Sequence, residues 1–182
     1  MIAITISGKS GSGKDTFADI LKEELEKLNK RVLVIHFADL VKFYAKQYFY
    51  WDGVKDEKGR TILQHLGTDL IRAHEPDYWA KIVAQFIAIM GETNTFDYAL
   101  VPDARFPNEI EVVRQYVPNT IALNVVRQNG EWVNPLFTEE QRNHPSETAL
   151  QNYNDFSFII NNDSDLTNLY NLANDLIRSM EA

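Results

Sequence analysis

Gly8-Lys9-Ser10-Gly11-Ser12-Gly13-Lys14-Asp15-Thr16 has the residue types and the spacing to hold a chain of phosphates. Gly8 and Gly13 frame four residues, and Lys14 follows at once. Glycines let successive backbone N–H groups turn toward one anion. A helix that starts near Lys14 adds the positive end of its dipole at the same place. Lys14 then supplies a point charge for the outer phosphates. The residue after this lysine is ordinarily Ser or Thr, whose hydroxyl meets Mg²⁺. Here it is Asp15, with Thr16 next. A carboxylate is a competent hard ligand for Mg²⁺, directly or through water. Asp15 is therefore the first candidate metal residue, and Thr16 its rival.

Asp103 is the second. It closes an apolar run, where an acid can hold Mg²⁺ through water; the alternative is a carboxylate that caps the next turn. Arginines are the other group to explain. Arg60 and Arg72 stand twelve residues apart, about three helical turns, so they can share a face. Arg105 follows Asp103 closely, and Arg127 and Arg142 bracket an irregular stretch. Any one of them alone can be a solvated surface charge. As a set they suit phosphoryl transfer, which needs positive charge in a fixed fork around the moving group. Asp39 follows the second apolar run, either as a helix cap or as a residue aimed at substrate. Gln64 and Trp79 could meet a base by hydrogen bonding and stacking, although Trp79 also falls in an apolar stripe. A metal role for His144 is not expected.

These residues need a scaffold that delivers them to one edge. Ile2, Ile4 and Ile6 alternate with small residues, as in a buried strand. Phe17, Ile20, Leu21, Leu25 and Leu28 recur at helical spacing. Arg31 to Phe37 is a nearly continuous apolar run, as in a parallel strand covered on both faces. Strand, helix, strand makes a right-handed βαβ unit. Helices are expected over 39–50, over 60–73, and from Pro76 to Gly91. A strand is expected at 98–103, a helix from Pro107, a strand at 120–126, a strand at 156–160, and a closing helix capped by Asp163 or Ser164. Pro102 weakens the third strand, since proline cannot donate to a ladder. Residues 127 to 145 show little periodicity. A stretch of that length without structure is usually functional.

The 182 residues suit one domain, 1–182. The formal charge of −8 argues against a nucleic acid polymer or an anionic membrane as partner. An acidic protein that binds polyanions must build a local positive pocket. There are no cysteines, which excludes disulfides and thiol chemistry. No signal peptide or spanning segment is evident, so a cytoplasmic location is expected.

Five strings together carry a resemblance: GKSGSGKDT at 8–16, FAD and a lysine at 37–42, GRTILQHLGTDLIR at 59–72, DARFPNE at 103–109 and HPSETAL at 144–150. The chain resembles the deoxynucleoside monophosphate kinases found in bacteriophages and some bacteria, within the nucleoside monophosphate kinase superfamily of P-loop kinases. The match runs over roughly residues 2 to 165. DARFPNE is its more specific marker, because the glycine loop is shared by many ATPases. The lysine-aspartate-threonine ending of the loop also occurs in that family.

The resemblance implies an α/β, three-layer P-loop kinase fold. Its five-stranded parallel sheet has the order 2-3-1-4-5, with helices on both faces, an acceptor-binding helical region at about 38–90 and a lid at about 127–145. It implies ATP and Mg²⁺, with Gly8 to Thr16 on the ATP phosphates. It places Asp39, Lys42, Arg60, Gln64, Arg72 and Arg105 in or near the acceptor region, with Trp79 beside them, and Arg127 and Arg142 on the lid. Lys14, Arg105, Arg127 and Arg142 are the expected catalytic charges. The expected reaction moves the ATP γ-phosphoryl group to a deoxynucleoside 5′-monophosphate. The alternatives are a P-loop kinase for a phosphomevalonate-like or dephospho-coenzyme A-like acceptor, and a nucleotide-binding protein that does not turn over. The expected partners are small nucleotides, with a homodimer an open alternative to a monomer; if phage-encoded, the protein would act in the host cytoplasm.

Overall fold

The computed structural model describes residues 1–127 and 138–181. Five strands form one sheet: β1 (Ile2–Ser7), β2 (Val32–Val34), β3 (Tyr98–Ala104), β4 (Thr120–Val126) and β5 (Phe158–Asn161). The order is β2-β3-β1-β4-β5, as expected, and every pairing is parallel. The helices are α1 (Lys14–Lys27), α2 (Ala38–Tyr48), α3 (Glu57–Gln64), α4 (Tyr78–Glu92), α5 (Pro107–Tyr116), α6 (Glu139–Asn143), α7 (Pro145–Thr148) and α8 (Leu166–Glu181).

Alternation along the strands builds two unequal cores. Ile4, Ile6, Leu100, Leu123 and Val125 face α1 and α8, where Phe17, Leu21, Leu25 and Ile177 close over them. The opposite face carries small residues: Ala3, Ala99 and Ala122. Small residues there let α4 and α5 settle close to the sheet, with Val83, Ala84, Ile87, Ile110 and Val113 filling the space. Phe17 is fully buried, so truncation to Ala is expected to cost about 3–5 kcal/mol.

Two local departures from the sequence reading, and one expected strand that tolerates a proline, have physical reasons. The second strand covers only Val32–Val34, not Arg31 to Phe37. It is an edge strand, and Val34 is exposed, so the apolar run is covered on one side only. The strand before Asp103 does run through Pro102. Between Thr5 and Ser7 the β1–β3 register shifts, with Val101 and Ala104 as the flanking partners. The extra residue there is a bulge, and β2 has already ended, so the missing proline N–H has no ladder to break. The cap of α8 comes from Asp165, whose carboxylate accepts the Asn168 N–H at 2.9 Å, rather than from Asp163 or Ser164.

The helix expected over 60–73 is two structures. α3 is α-helical, and His65–Arg72 continues it as a π-helix. The Ala73 N–H reaches back five residues to the Thr68 carbonyl. Periodicity carries no signal for this wider coil. Such segments occur often at functional sites.

Candidate functional site

At the carboxyl edge of the sheet the chain leaves β1 into the glycine loop. Gly8, Gly11 and Gly13 have φ values of +155°, +82° and +89°. A Cβ on Gly8 would lie 2.5 Å from the Ser12 Oγ and 2.6 Å from the Val125 carbonyl oxygen. A Cβ on Gly13 would collide with the Asn162 side chain. These glycines therefore serve both conformation and space. Asn162 follows β5; its Nδ2 donates to the Ser12 carbonyl at 2.8 Å, and its own N–H donates to Val126. The loop is thus tied to the end of β5. Buried Lys14 lies 3.4 Å from the Asp15 carboxylate, which is three-quarters exposed. A cavity of about 440 Å³ opens here, lined by Gly11, Gly13, Lys14, Asp15, Thr16 and Arg127 on one side. Asn162, Ser164, Asp165 and Leu166 line the other.

A second cavity, of about 180 Å³, lies under α2, α3 and the π-helix. Lys42, Lys55, Arg60, Arg72 and Arg105 bring five cations to it, against the carboxylates of Asp103, Glu109 and Glu147. Phe37, Trp79 and Phe106 give it aromatic walls, and Gln64 and Thr68 add polar groups. Several of these charges are already paired. The Arg72 guanidinium is 3.3 Å from Glu109 and stacks 3.7 Å over the Phe106 ring. The Arg105 guanidinium donates to Glu147 and to the Ser146 carbonyl, so α7 closes over this cavity. Lys42 is 3.2 Å from Asp39.

Glu109 is the buried hinge of this network. One of its oxygens accepts the N–H groups of Arg105 and Phe106 at 2.7 and 3.0 Å, and the other meets Arg72. Burial pushes its carboxyl up to about 7, against the pull of those donors. Burial also lowers the Arg72 guanidinium, with Glu109 opposing it. Both directions follow from one fact: the pair is out of water.

The deoxynucleotide monophosphate kinase profile matches residues 42–172. The chain belongs to that family. The matched stretch starts beyond the glycine loop, so family and loop are independent observations. Membership makes the chain a nucleotide-binding P-loop kinase, a phosphotransferase that uses ATP. No curated protein matches the sequence. Among solved structures, a sugar kinase from Janibacter sp. is 15% identical, with a TM-score of 0.63, covering 98% of this chain and 95% of the other. The APS kinase of Mycobacterium tuberculosis, in a complex with AMPPNP and APS, is also 15% identical, with a TM-score of 0.51, covering 100% and 98%. At such identities the likeness is one of fold.

The kinase gathers most of the residues singled out from its sequence. Lys42, Arg60, Gln64, Arg72, Trp79 and Arg105 line the second cavity, and Lys14, Asp15, Thr16 and Arg127 line the first. Trp79 also serves the core: it is buried and donates its indole N–H to the Gly67 carbonyl at 2.9 Å. Asp39 lines neither cavity. Burial works against its charge, but the His36 N–H and the Lys42 ammonium hold its carboxyl below the usual range. Asp103 lines the second cavity while its two oxygens accept the Phe37 and Ala38 N–H groups at 2.9 and 3.0 Å. It thus caps α2 from across the sheet edge, helped by the bulge. Arg142 is exposed on α6 and lines neither cavity. Of the expected lid, 128–137 lies outside the described residues. The His144 imidazole accepts the Ser146 N–H and faces Asp69 at 3.3 Å.

Sequence reasoning missed Asn162, Glu147, Glu109 and Lys55. Glu109 and Glu147 fall within DARFPNE and HPSETAL, but neither is singled out there. Asn162 and Lys55 carry no local signal.

Proposed function

We propose that the protein transfers the γ-phosphoryl group of ATP to a deoxynucleoside 5′-monophosphate, giving the diphosphate and ADP, with Mg²⁺. The observation that carries this reading is the second cavity. A protein of charge −8 collects five cations around one small, aromatic-walled space beside its phosphate loop. A phosphate with a planar base attached fits that chemistry: the guanidinium groups meet the phosphate, and Trp79, Phe37 or Phe106 meets the base. The family supports the same acceptor.

The first cavity would take ATP, with its phosphates on Gly8 to Thr16 and its nucleoside toward Asn162 and Asp165. Metal binding can be tested on the donor set. Among the described residues, no group of three or more His, Cys, Asp or Glu could hold an ion by itself. Asp15 and Thr16 offer hard oxygens in the first cavity. Mg²⁺ suits that situation, because it binds through one or two side chains plus substrate phosphates. When bound, it would neutralise charge on the phosphate oxygens. The acceptor is already an anionic oxygen, so no general base is required. The protein's work is positioning and charge compensation. Lys14 stabilises the outer phosphates, and Arg72 and Arg105 overcome repulsion between two polyanions. Arg60 and Gln64 orient the acceptor.

An ADP-coupled assay tests this, with ATP, Mg²⁺ and a panel of deoxynucleoside and ribonucleoside monophosphates. Turnover of at least one deoxynucleoside monophosphate, with the diphosphate identified by chromatography, is the expected result. Activity only on a phosphomevalonate-like or dephospho-coenzyme A-like acceptor, or no turnover at all, refutes it.

A further inference from the structure

The loop between α2 and α3 carries a cation that is built into place. Trp51 is buried there, and its indole N–H donates to the Val54 carbonyl at 2.8 Å. Asp52 accepts the Val54 N–H at 2.8 Å. Gly53 turns with φ of +96°, a conformation that glycine adopts readily. A Cβ on Gly59 would strike the Val54 carbonyl oxygen, so α3 begins hard against this loop. Asp56 caps α3 by accepting the Gly59 N–H at 2.7 Å. Between Val54 and Asp56, two anchored residues, stands Lys55. Such anchoring is unusual for a surface lysine, whose side chain ordinarily has a free stem on a free loop.

Lys55 lines the second cavity beside Lys42, Arg60 and Arg105. Lys55 is exposed overall, and partial desolvation acts on its ammonium. That desolvation lowers its proton affinity, as do the charges of Lys42, Arg60 and Arg105; Asp15 on the phosphate loop pulls the other way. The cavity that Lys55 lines reaches the glycine loop by geometry: Asp103 and Arg105, which also line it, flank Ala104, and Ala104 pairs with Ser7 where β1 enters that loop. Lys55 differs from its neighbours in a further way. Lys42, Arg72 and Arg105 have carboxylates within ion-pair distance. Among the described residues Lys55 has none. A phosphate that enters must compete with Asp39, Glu109 and Glu147 for the first three, and finds Lys55 without a rival.

Resting on the phosphotransfer reading above, we infer that Lys55 is a catalytic residue that contacts the phosphoryl group in flight between donor and acceptor. In-line transfer brings two phosphates together, and the transferred group carries its charge on its equatorial oxygens. A cation in the second cavity, on the side of the sheet edge where β1 enters the glycine loop, would meet that charge more fully in the transition state than in either ground state. Such an interaction appears in kcat and not in KM.

The test compares Lys55→Gln, Lys55→Arg and, as a control, Lys58→Gln, an exposed lysine of α3 that lines neither cavity. Steady-state kcat and both KM values are measured on the full chain with the best acceptor of the panel. Lys55→Gln is expected to lower kcat by roughly 10²-fold with KM values changed by less than about threefold. Lys55→Arg is expected to recover most of the loss, and Lys58→Gln to be silent. An unchanged kcat in Lys55→Gln overturns the inference while wild-type turnover leaves the function reading intact. A rise in acceptor KM alone makes Lys55 a rim charge, which also overturns it. Equal losses in Lys55→Gln and Lys58→Gln would assign the effect to net charge and overturn it too. If the wild type turns over no monophosphate, both readings fall.

Discussion

Glu109→Gln separates charge from shape in the lining of the second cavity. The native carboxyl is buried and pushed up to about 7, from an ordinary value of 4.5. Below pH 4.5 the folded and unfolded chains both hold this proton, and the group is neutral toward folding. As pH rises through the interval, the unfolded chain releases the proton and the native chain keeps it. Native stability is therefore lost progressively, and the full cost is reached above pH 7. Each pH unit of that interval is worth 1.36 kcal/mol, so this one group costs about 2 to 3 kcal/mol between pH 5 and pH 8. Glutamine keeps the volume and one acceptor for the Arg105 and Phe106 N–H groups, but cannot ionise. It also presents an amide to the Arg72 guanidinium, which adds a cost nearly constant with pH.

Urea unfolding of both proteins at pH 5 and pH 8 measures the difference. The mutant should lose less stability than the wild type on going to pH 8. The gap should shift by about 2 to 3 kcal/mol, or about 1 M in midpoint. Parallel pH dependences in the two proteins would show that the Arg72 and backbone donors outweigh burial and keep Glu109 charged throughout.

Lys14→Ala should lower kcat on the order of 10³-fold with the urea midpoint little changed, because its charge acts on the phosphates of the transition state; near-normal turnover in a folded mutant would remove the loop from catalysis. Asp15→Ala should raise the Mg²⁺ concentration needed for half-maximal turnover roughly 10- to 100-fold, with Asp15→Ser closer to wild type; a normal requirement in Asp15→Ala with a damaged Thr16→Ala would move the metal contact to Thr16. Asn162→Ala should strand the buried Ser12 carbonyl, cost about 1–3 kcal/mol in urea unfolding and raise the KM for ATP; unchanged stability would mean that the loop holds its shape without this tie.

What could be read from the chain and what could not divide along a physical line. The alternation of Ile2, Ile4 and Ile6 with small residues announced β1, because a period of two has one structural meaning when both faces are buried. The twelve-residue interval between Arg60 and Arg72 placed two cations in one cavity, and they are found there even though the intervening coil widens to a π-helix. Both inferences are local in the chain. The ties that shape the site are not. Asn162 holds the carbonyl of Ser12 from 150 residues away, and Glu147 meets Arg105 across 42. No periodicity links such positions; only the parallel sheet, which returns every strand's carboxyl end to one edge, brings them together. The same reasoning explains Asp103, which the sequence offers first as a metal residue and second as a cap. Asp103 lies within the register shift between Val101 and Ala104 and accepts the Phe37 and Ala38 N–H groups, and such a shift leaves no mark in composition. For the cations the consequence reaches function. Sequence shows them singly, as charges. The fold shows Arg72 with Glu109, Arg105 with Glu147 and Lys42 with Asp39, so on the proposed reading an incoming phosphate would exchange partners at these three cations and, among the described residues of the cavity, meet bare charge only at Lys55. Such a cavity discriminates by how well a ligand replaces three carboxylates at once. On the proposed reading, a rigid phosphate fixed by a stacked base would do this and a flexible, monovalent anion would not.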